Sequence, residues 1–172
     1  MRKCAKFEKV SLKQFLQDFK EIFPLEDSKI EKIYEGIKLP KRATKSSAGY
    51  DFYLPVGIEI KPGETIKIPT GIRCYMEEDV VLSLYPRSSL GFKYKMQLNN
   101  TVGIIDADYY NAKNEGHIQI KITNDNNENK TISLCSGDGF AQGVFTEYLI
   151  TYDDEATGER TGGFGSTNKV SK

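Results

Sequence analysis

Short apolar, β-branched segments recur from Ile37 onward, and turn residues separate them at close intervals. Clear breaks fall at residues 62–63, 125–127 and 136–139, which are rich in Gly, Pro, Asn and Asp. Because strands so closely spaced leave no room for helical crossovers, the pattern predicts an all-β fold, a jelly-roll-like antiparallel β sandwich. The predicted strands are Asp51–Leu54, Gly57–Ile60, Thr65–Pro69, Ile72–Met76, Val80–Tyr85, Met96–Leu98, Thr101–Ile105, His117–Thr123, Thr131–Cys135 and Phe140–Ile150.

The first 36 residues differ from this pattern. The segment from Arg2 to Val10 alternates like a strand, and Ser11 then has the properties of a helix N-cap. Apolar residues follow at helical spacing up to Pro24: Leu12, Phe15, Leu16, Phe19, Ile22 and Phe23. A second short helix is predicted over 28–35. We expect this helical insertion, about residues 11–36, to pack on the domain through its wide apolar face; binding of another protein is the alternative.

The last part of the chain is polar and rich in glycine. It contains Gly158, Gly162, Gly163 and Gly165, and it lacks the alternation of a strand. The sequence therefore predicts a single β domain over 1–150 and a C-terminal arm over 151–172 that is flexible when nothing is bound.

Composition excludes several classes of function. The 24 basic and 24 acidic side chains cancel, so nucleic acid is not an expected partner. No apolar run approaches the roughly 20 residues of a membrane span, and a cytoplasmic location is expected. His117 is the only histidine, so neither Ser-His-Asp or Cys-His catalysis in its usual form nor a His-rich metal site is expected. The three cysteines are expected to be buried thiols.

The run from Gly103 to Asn111 contains the first candidate for chemistry. Asp106 directly follows an apolar strand, and a rigid strand end can aim a carboxylate at a water molecule as a general base. The alternative is a turn capped by Asx side chains.

Four other segments carry groups that handle phosphate, namely Arg, paired Ser, Gln and glycine-rich backbone. They are 48–51, 86–90, 137–142 and the arm. Each alone has a structural explanation, such as a capped helix start, an exposed strand residue or a linker. The arm also lacks the Gly-Lys-Ser/Thr of a Walker A loop.

Taken in order, the five segments resemble the five motifs of the trimeric dUTPases, over about Ile37 to Asn168. The resemblance implies a jelly-roll subunit and a homotrimer with active sites shared between subunits. It also implies Mg2+-dependent hydrolysis of dUTP to dUMP and pyrophosphate, which supplies dUMP and keeps uracil out of DNA.

By the resemblance, Asp106 activates the water that attacks the α-phosphorus, and Tyr109 packs under the deoxyribose and excludes ribonucleotides. Asn100 contacts uracil, and the following backbone reads its edge. That backbone belongs to Gly103, Ile104 and Ile105. Gln119 faces the substrate with a neutral side chain.

The resemblance also assigns the phosphate contacts. Arg87, Ser88, Ser89 and Gln142 hold the phosphates. In the arm, Arg160 contacts the terminal phosphates, Phe164 stacks on uracil, and the triphosphate is wrapped by Gly165, Ser166 and Thr167. Asp51 is mainly structural and at most an outer-sphere partner of hydrated Mg2+.

The chain departs from the family pattern at several places. One residue, where many members have two, separates Arg160 from Gly162, and Gln119 stands in place of a cation or methionine. Gly139 stands where a basic residue is usual, and Asn111–Glu115 lengthen the loop after Tyr110. Two other functions remain open. A dCTP deaminase of the same fold should carry a catalytic glutamate in segment 105–109, which here has the hydrolase pattern. A nucleotide-gated regulatory protein is the other alternative, and a regulatory protein partner is not identified by the sequence.

Overall fold

The computed structural model describes residues 2–158 and 162 of the 172-residue chain. Antiparallel strands predominate there. The strands are β1 (Ala5–Lys9), β2 (Lys41–Arg42), β3 (Tyr50–Tyr53), β4 (Ile58–Ile60), β5 (Thr65–Pro69), β6 (Ile72–Met76), β7 (Val80–Pro86), β8 (Met96–Leu98), β9 (Gly103–Ile105), β10 (Gln119–Asn124), β11 (Ile132–Leu134) and β12 (Gly139–Glu147). The α-helices are α1 (Leu12–Lys20), α2 (Asp27–Glu35) and α3 (Ser88–Tyr94), and a 3-10 helix covers Ala107–Asn111.

The predicted strand pattern is confirmed, with differences at strand ends. The last strand is predicted to continue to Ile150, but β12 ends at Glu147, because its neighbour β7 begins at Val80, the partner of Glu147. Thr101 is predicted to lie in a strand but has φ 64°, and it belongs to the turn before β9. The two-residue β2 has no counterpart among the predicted strands, since it is too short to show alternation.

The largest sheet has five strands in the order β2-β3-β12-β7-β9. β12 is its central strand, and Gln142 on β12 lies opposite Asp51 on one side and Tyr85 on the other. β9 pairs only with β7 within this sheet and forms its edge. Three smaller antiparallel sheets complete the described β structure: β5-β10-β8, β1-β6 and β4-β11.

The core is formed by side chains from all these sheets. Fully buried members include Phe52, Ile68, Leu82, Ile118 and Phe140. Buried apolar residues alternate with more exposed ones along β4, β8 and β10, which explains why these strands are visible in the sequence.

The cysteine prediction is partly wrong. All three are free thiols, but Cys4 is half-buried and Cys135 is exposed. Cys135 follows β11 in a turn, so its side chain leaves the core. Cys74 is buried, and burial raises the pKa of its thiol to about 12.

The helical insertion packs on the β structure, as predicted. Val10, Phe15, Phe19 and Ile30 form a second buried cluster beside the main core. Ser11 caps α1, since its hydroxyl accepts a hydrogen bond from the Gln14 backbone at 3.1 Å. Within the part of the chain that the structure describes, no helix is long and apolar enough to cross a membrane.

One polar pair lies inside this apolar contact. His117 is fully buried, and its Nδ1 lies 2.5 Å from Oδ2 of Asp18 on α1. Nε2 of His117 accepts the Gly71 backbone N–H at 2.8 Å, so the proton of the neutral ring lies on Nδ1 and is donated to Asp18. Burial alone would raise the pKa of Asp18, but hydrogen bonds from His117 and Gln14 outweigh it and hold that pKa below its ordinary value.

Gly71 provides a direct test of how tightly the insertion is docked. It has φ +74°, and a Cβ there would lie 2.3 Å from Cδ1 of Ile37 and 3.3 Å from the Phe15 ring. Gly63 is a matched control, because it has φ +82° and a Cβ there would have nothing within 4 Å. We expect Gly63→Ala to lower the free energy of unfolding by about 1–2 kcal/mol through backbone strain alone.

Gly71→Ala should cost about 1–3 kcal/mol more than Gly63→Ala, because it adds overpacking to the same strain. Urea unfolding of both variants and the unmodified chain measures the difference. Equal losses of unfolding free energy in the two variants would show that Ile37 and the Phe15 ring move away from the added methyl group at no measurable cost.

Candidate functional site

Sheet register gathers one group of candidates into a cavity of about 270 Å3, here called the Arg87 cavity. Asp51 and Gln142 are direct partners across β3 and β12, and Arg87 follows the last residue of neighbouring β7. Ser88 and Ser89 begin α3. The lining residues are Ala43, Ser47, Gly49, Asp51, Arg87, Ser88, Ser89 and Gln142.

The Arg87 side chain is held in place by its neighbours in this cavity. Its Nε lies 3.3 Å from Oδ1 of Asp51, and its Nη1 donates to the Gly139 carbonyl at 3.4 Å. A Cβ on Gly139 would come within 2.8 Å of Nη1. The lack of a side chain at Gly139 therefore makes room for Arg87 to lie across the strand.

A second cavity, of about 380 Å3, is here called the Asn100 cavity. Its floor is apolar, formed by Leu84, Leu98, Ile105 and Ile120, and polar groups lie around it. These include Asn99, Asn100, Lys67, Lys121 and Gln119, and Gly103 also lines the wall. An apolar floor with a few polar groups suits a flat heterocyclic base.

The Asn100 cavity lies beside an edge strand. Among the described residues, β9 has β7 as its one sheet partner, so backbone groups on its other edge are not engaged in the sheet. Gly103 and Ile105 are buried, whereas the Ile104 side chain is 54% exposed and does not line the cavity. Any recognition through Ile104 would therefore use its backbone.

Asp106 lies at the junction between β9 and the 3-10 helix and is half-buried. It occupies the N-cap position, where its side chain makes no capping hydrogen bond to the 3-10 helix. Tyr109, three residues on, is 3% exposed. Its hydroxyl donates to the His117 carbonyl at 2.8 Å and accepts from Nδ2 of Asn114 at 2.8 Å.

Within one chain, Asp106 is remote from the Arg87 cavity. β7 and β9 are antiparallel with Ile105 opposite Leu82, so Asp106 lies beside the start of β7, whereas Arg87 follows its end. Six residues of extended strand span about 20 Å. The two groups of candidates are therefore separated by nearly the length of a strand.

Some candidates lie outside the described residues. These are Arg160, Phe164, Gly165, Ser166 and Thr167. The described beginning of the arm, residues 151–158, is exposed.

The residues that line the Arg87 cavity are suited to a ligand that carries a bound metal ion, because the described ones include only one carboxylate. Asp51 is the one carboxylate in the described lining, and it already contacts Arg87. No group of three or more His, Cys, Asp or Glu side chains that could hold a metal ion occurs in residues 2–158 and 162. Mg2+ commonly keeps several waters and binds through substrate phosphates, which fits such a cavity.

The sequence prediction missed polar contacts from the N-terminal segment to the loop after Tyr109. Asp18 with His117 is one of them. A charged residue within the apolar stripe of a predicted helix was the available signal, because a buried carboxylate needs a partner.

The chain matches known proteins in both sequence and fold. The dUTPase family model matches residues 35–168. The deoxyuridine 5'-triphosphate nucleotidohydrolase of Lactococcus lactis is 45% identical over 135 residues, covering 77% of this chain and 89% of that protein. The crystal structure of a dUTPase from Streptococcus mutans is 36% identical with a TM-score of 0.62, covering 84% of this chain and 97% of that one.

A dUTPase from phage phi11 of Staphylococcus aureus, 19% identical, has a TM-score of 0.62 over 91% of this chain and 98% of its own, which shows the shared fold. The family match covers most of the chain, and the Lactococcus lactis relative is well above 30% identical over most of its length. This chain therefore belongs to the dUTPase family.

Proposed function

We propose that this protein hydrolyses dUTP to dUMP and pyrophosphate. The observation that carries the proposal is the Arg87 cavity, where a guanidinium, two serines and a glutamine converge from three elements of the fold. Such groups bind phosphate oxygens. The naming of the Lactococcus lactis relative as a deoxyuridine 5'-triphosphate nucleotidohydrolase supports the same activity.

In the proposed reaction, the Asp106 carboxylate takes a proton from a water molecule. The water oxygen forms a bond to the α-phosphorus, and the bond from that phosphorus to the bridging oxygen of the β-phosphate breaks. Pyrophosphate leaves with the electron pair of that bond. Arg87, Ser88, Ser89 and Gln142 would hold the phosphates while charge moves onto the leaving group.

Selection of the base and of the sugar would come from the residues around the Asn100 cavity and from Tyr109. Uracil fits the Asn100 cavity, with Asn100 and the backbone of Gly103, Ile104 and Ile105 reading its edge, and Gln119 at the rim. A methyl group on the base would meet buried Ile105 and Leu84. Tyr109 would form the floor under the deoxyribose, where an added hydroxyl would collide.

A complete site requires a second copy of the chain. The separation of Asp106 from the Arg87 cavity supports this, because both are needed at one triphosphate. Apolar side chains at the surface support association as well: Phe92 is 93% exposed, Leu149 96% and Ile150 72%. The proposed assembly is a homotrimer with shared sites.

The remaining features of the proposal follow the family resemblance. Residues 1–150 would form one jelly-roll domain and 151–172 a glycine-rich arm that closes over the bound nucleotide. Hydrated Mg2+ would neutralise charge on the triphosphate, with Asp51 as an outer-sphere partner at most. The cytoplasmic location stays a prediction.

The proposal is tested by product release from dUTP, dTTP, dCTP and UTP. We expect pyrophosphate from dUTP, with kcat/KM for UTP and dTTP lower by about 10²-fold, the size of effect that a packed pocket achieves against one added group. Ammonia release from dCTP would contradict the proposal and indicate a deaminase. Binding of dUTP without turnover would indicate a regulatory protein.

A further inference from the structure

The segment from β1 to the end of α1 contacts the loop that follows Tyr109. Three of its side chains, Glu8, Ser11 and Asp18, make polar contacts with residues 110–117, about 100 positions later in the chain. We call these three side chains the N-terminal brace. They precede residue 35, where the family match begins.

The deepest contact of the brace is the buried pair of Asp18 and His117. His117 cannot turn without losing a partner, because one ring nitrogen faces Asp18 and the other accepts from Gly71. Gln14 also donates to Oδ2 of Asp18 at 2.9 Å. The orientation of the His117 ring is thus fixed from α1 on one side and from the β5–β6 turn on the other.

The two outer contacts hold the rest of the loop. Both oxygens of the Glu115 carboxylate are used by Ser11, from its hydroxyl at 2.6 Å and from its backbone N–H at 2.7 Å. The Tyr110 hydroxyl donates to Glu8 at 2.6 Å. Arg73 also contacts Tyr110. Its guanidinium lies 3.6 Å from the Tyr110 ring centroid and donates a hydrogen bond to the Tyr110 carbonyl.

The braced loop in turn fixes Tyr109. The Tyr109 hydroxyl has its acceptor and its donor in this loop, the His117 carbonyl and the Asn114 amide. Glu115 has φ 57° and Gly116 φ 67°, so the chain makes a tight left-handed turn between those two partners. A shift of His117 or Glu115 would therefore move the groups that hold the Tyr109 ring.

We propose that the N-terminal brace positions Tyr109 for discrimination between deoxyribose and ribose. The inference rests on the proposed function, in which Tyr109 lies under the sugar. Glu8, Ser11 and Asp18 are positioning residues here, because they act through the loop and not on the substrate. This gives a role to the N-terminal insertion, through Ser11 and Asp18, and to the lengthened loop Asn111–Glu115, through Glu115, which Ser11 holds, and Asn114, which contacts Tyr109.

The test uses the full chain with Asp18→Asn, which keeps the shape of the side chain and removes its charge. We expect the ratio of kcat/KM for dUTP to kcat/KM for UTP to fall about tenfold, since small errors in placement are costly in such sites. Glu115→Gln is a milder second variant, which leaves the Ser11 cap on α1 intact and should shift the ratio in the same direction. Glu31→Gln removes an exposed carboxylate from α2 and should leave the ratio unchanged.

A purely structural role predicts a different result. Loss of folded protein would lower the rates with dUTP and UTP in parallel, and an unchanged ratio in both variants would overturn the inference. Backbone hydrogen exchange at 109–117 gives an independent readout: faster exchange there in Asp18→Asn is expected, and unchanged exchange would contradict the brace. Failure of the unmodified chain to hydrolyse dUTP would instead overturn the proposed function.

Discussion

Asp106→Asn is expected to lower kcat for dUTP hydrolysis by about 10²–10⁴-fold, the usual contribution of a general base. An amide cannot accept the proton of the attacking water, whereas its size and shape match the carboxylate. Binding should change little, because the phosphate and base contacts are assigned to other residues. Single-turnover kinetics measure the rate, and titration with a non-hydrolysable dUTP analogue measures affinity.

Asp108→Asn is the matched control for this prediction. Asp108 is exposed and lies two residues further on, in the first turn of the 3-10 helix. The same change of charge there should leave most of the activity intact. Turnover by Asp106→Asn within tenfold of the unmodified chain would refute the assignment of the base. Equal losses of activity in the two variants would show that the activity depends on the total negative charge of this turn and not on Asp106 in particular.

Removal of all residues after Asp153 should lower kcat/KM for dUTP by about 10²-fold or more. The deleted part carries Arg160 and Phe164, and stacking on a base is worth about 1–3 kcal/mol, with charge-assisted hydrogen bonds worth about 1.5–3 kcal/mol each. The fold and assembly should persist, because residues 151–153 are exposed and lie beyond the last described strand. Steady-state kinetics and light scattering measure the two properties.

A second truncation, after Asn168, separates the matched motif from the final residues. It removes only positions beyond the family match at 35–168 and should retain full activity. If the chain ending at Asp153 turned over dUTP normally, the arm would have no catalytic part. If it failed to assemble, the arm would be required for association instead.

Local signals in the sequence are enough to predict most strands. β5, β6 and β8 have the predicted bounds, because alternation between apolar and polar residues and the flanking turns are properties of neighbouring positions. Strand ends are predicted less well. The end of β12 depends on where β7 begins, a partner more than 60 positions away, and no pattern near residue 147 reveals it.

Candidates for the site can be named from the sequence, but the geometry that relates them cannot. Motif order identifies Arg87, Gln142 and Asp106, whereas their separation into two groups follows from the register between β7 and β9. The pairing of Asp18 with His117 also cannot be predicted from the sequence. A carboxylate between Phe15 and Phe19 indicates that some partner is needed, but the fold alone determines which residue meets it.

As an edge strand of its sheet, β9 could promote aggregation. An edge strand has unpaired backbone N–H and C=O groups that can pair with another chain, and this pairing can start aggregation. β9 has only three residues, and a left-handed turn precedes it at Thr101 while a 3-10 helix follows it. An edge strand this short and sharply bounded offers too few backbone groups to template a growing fibre.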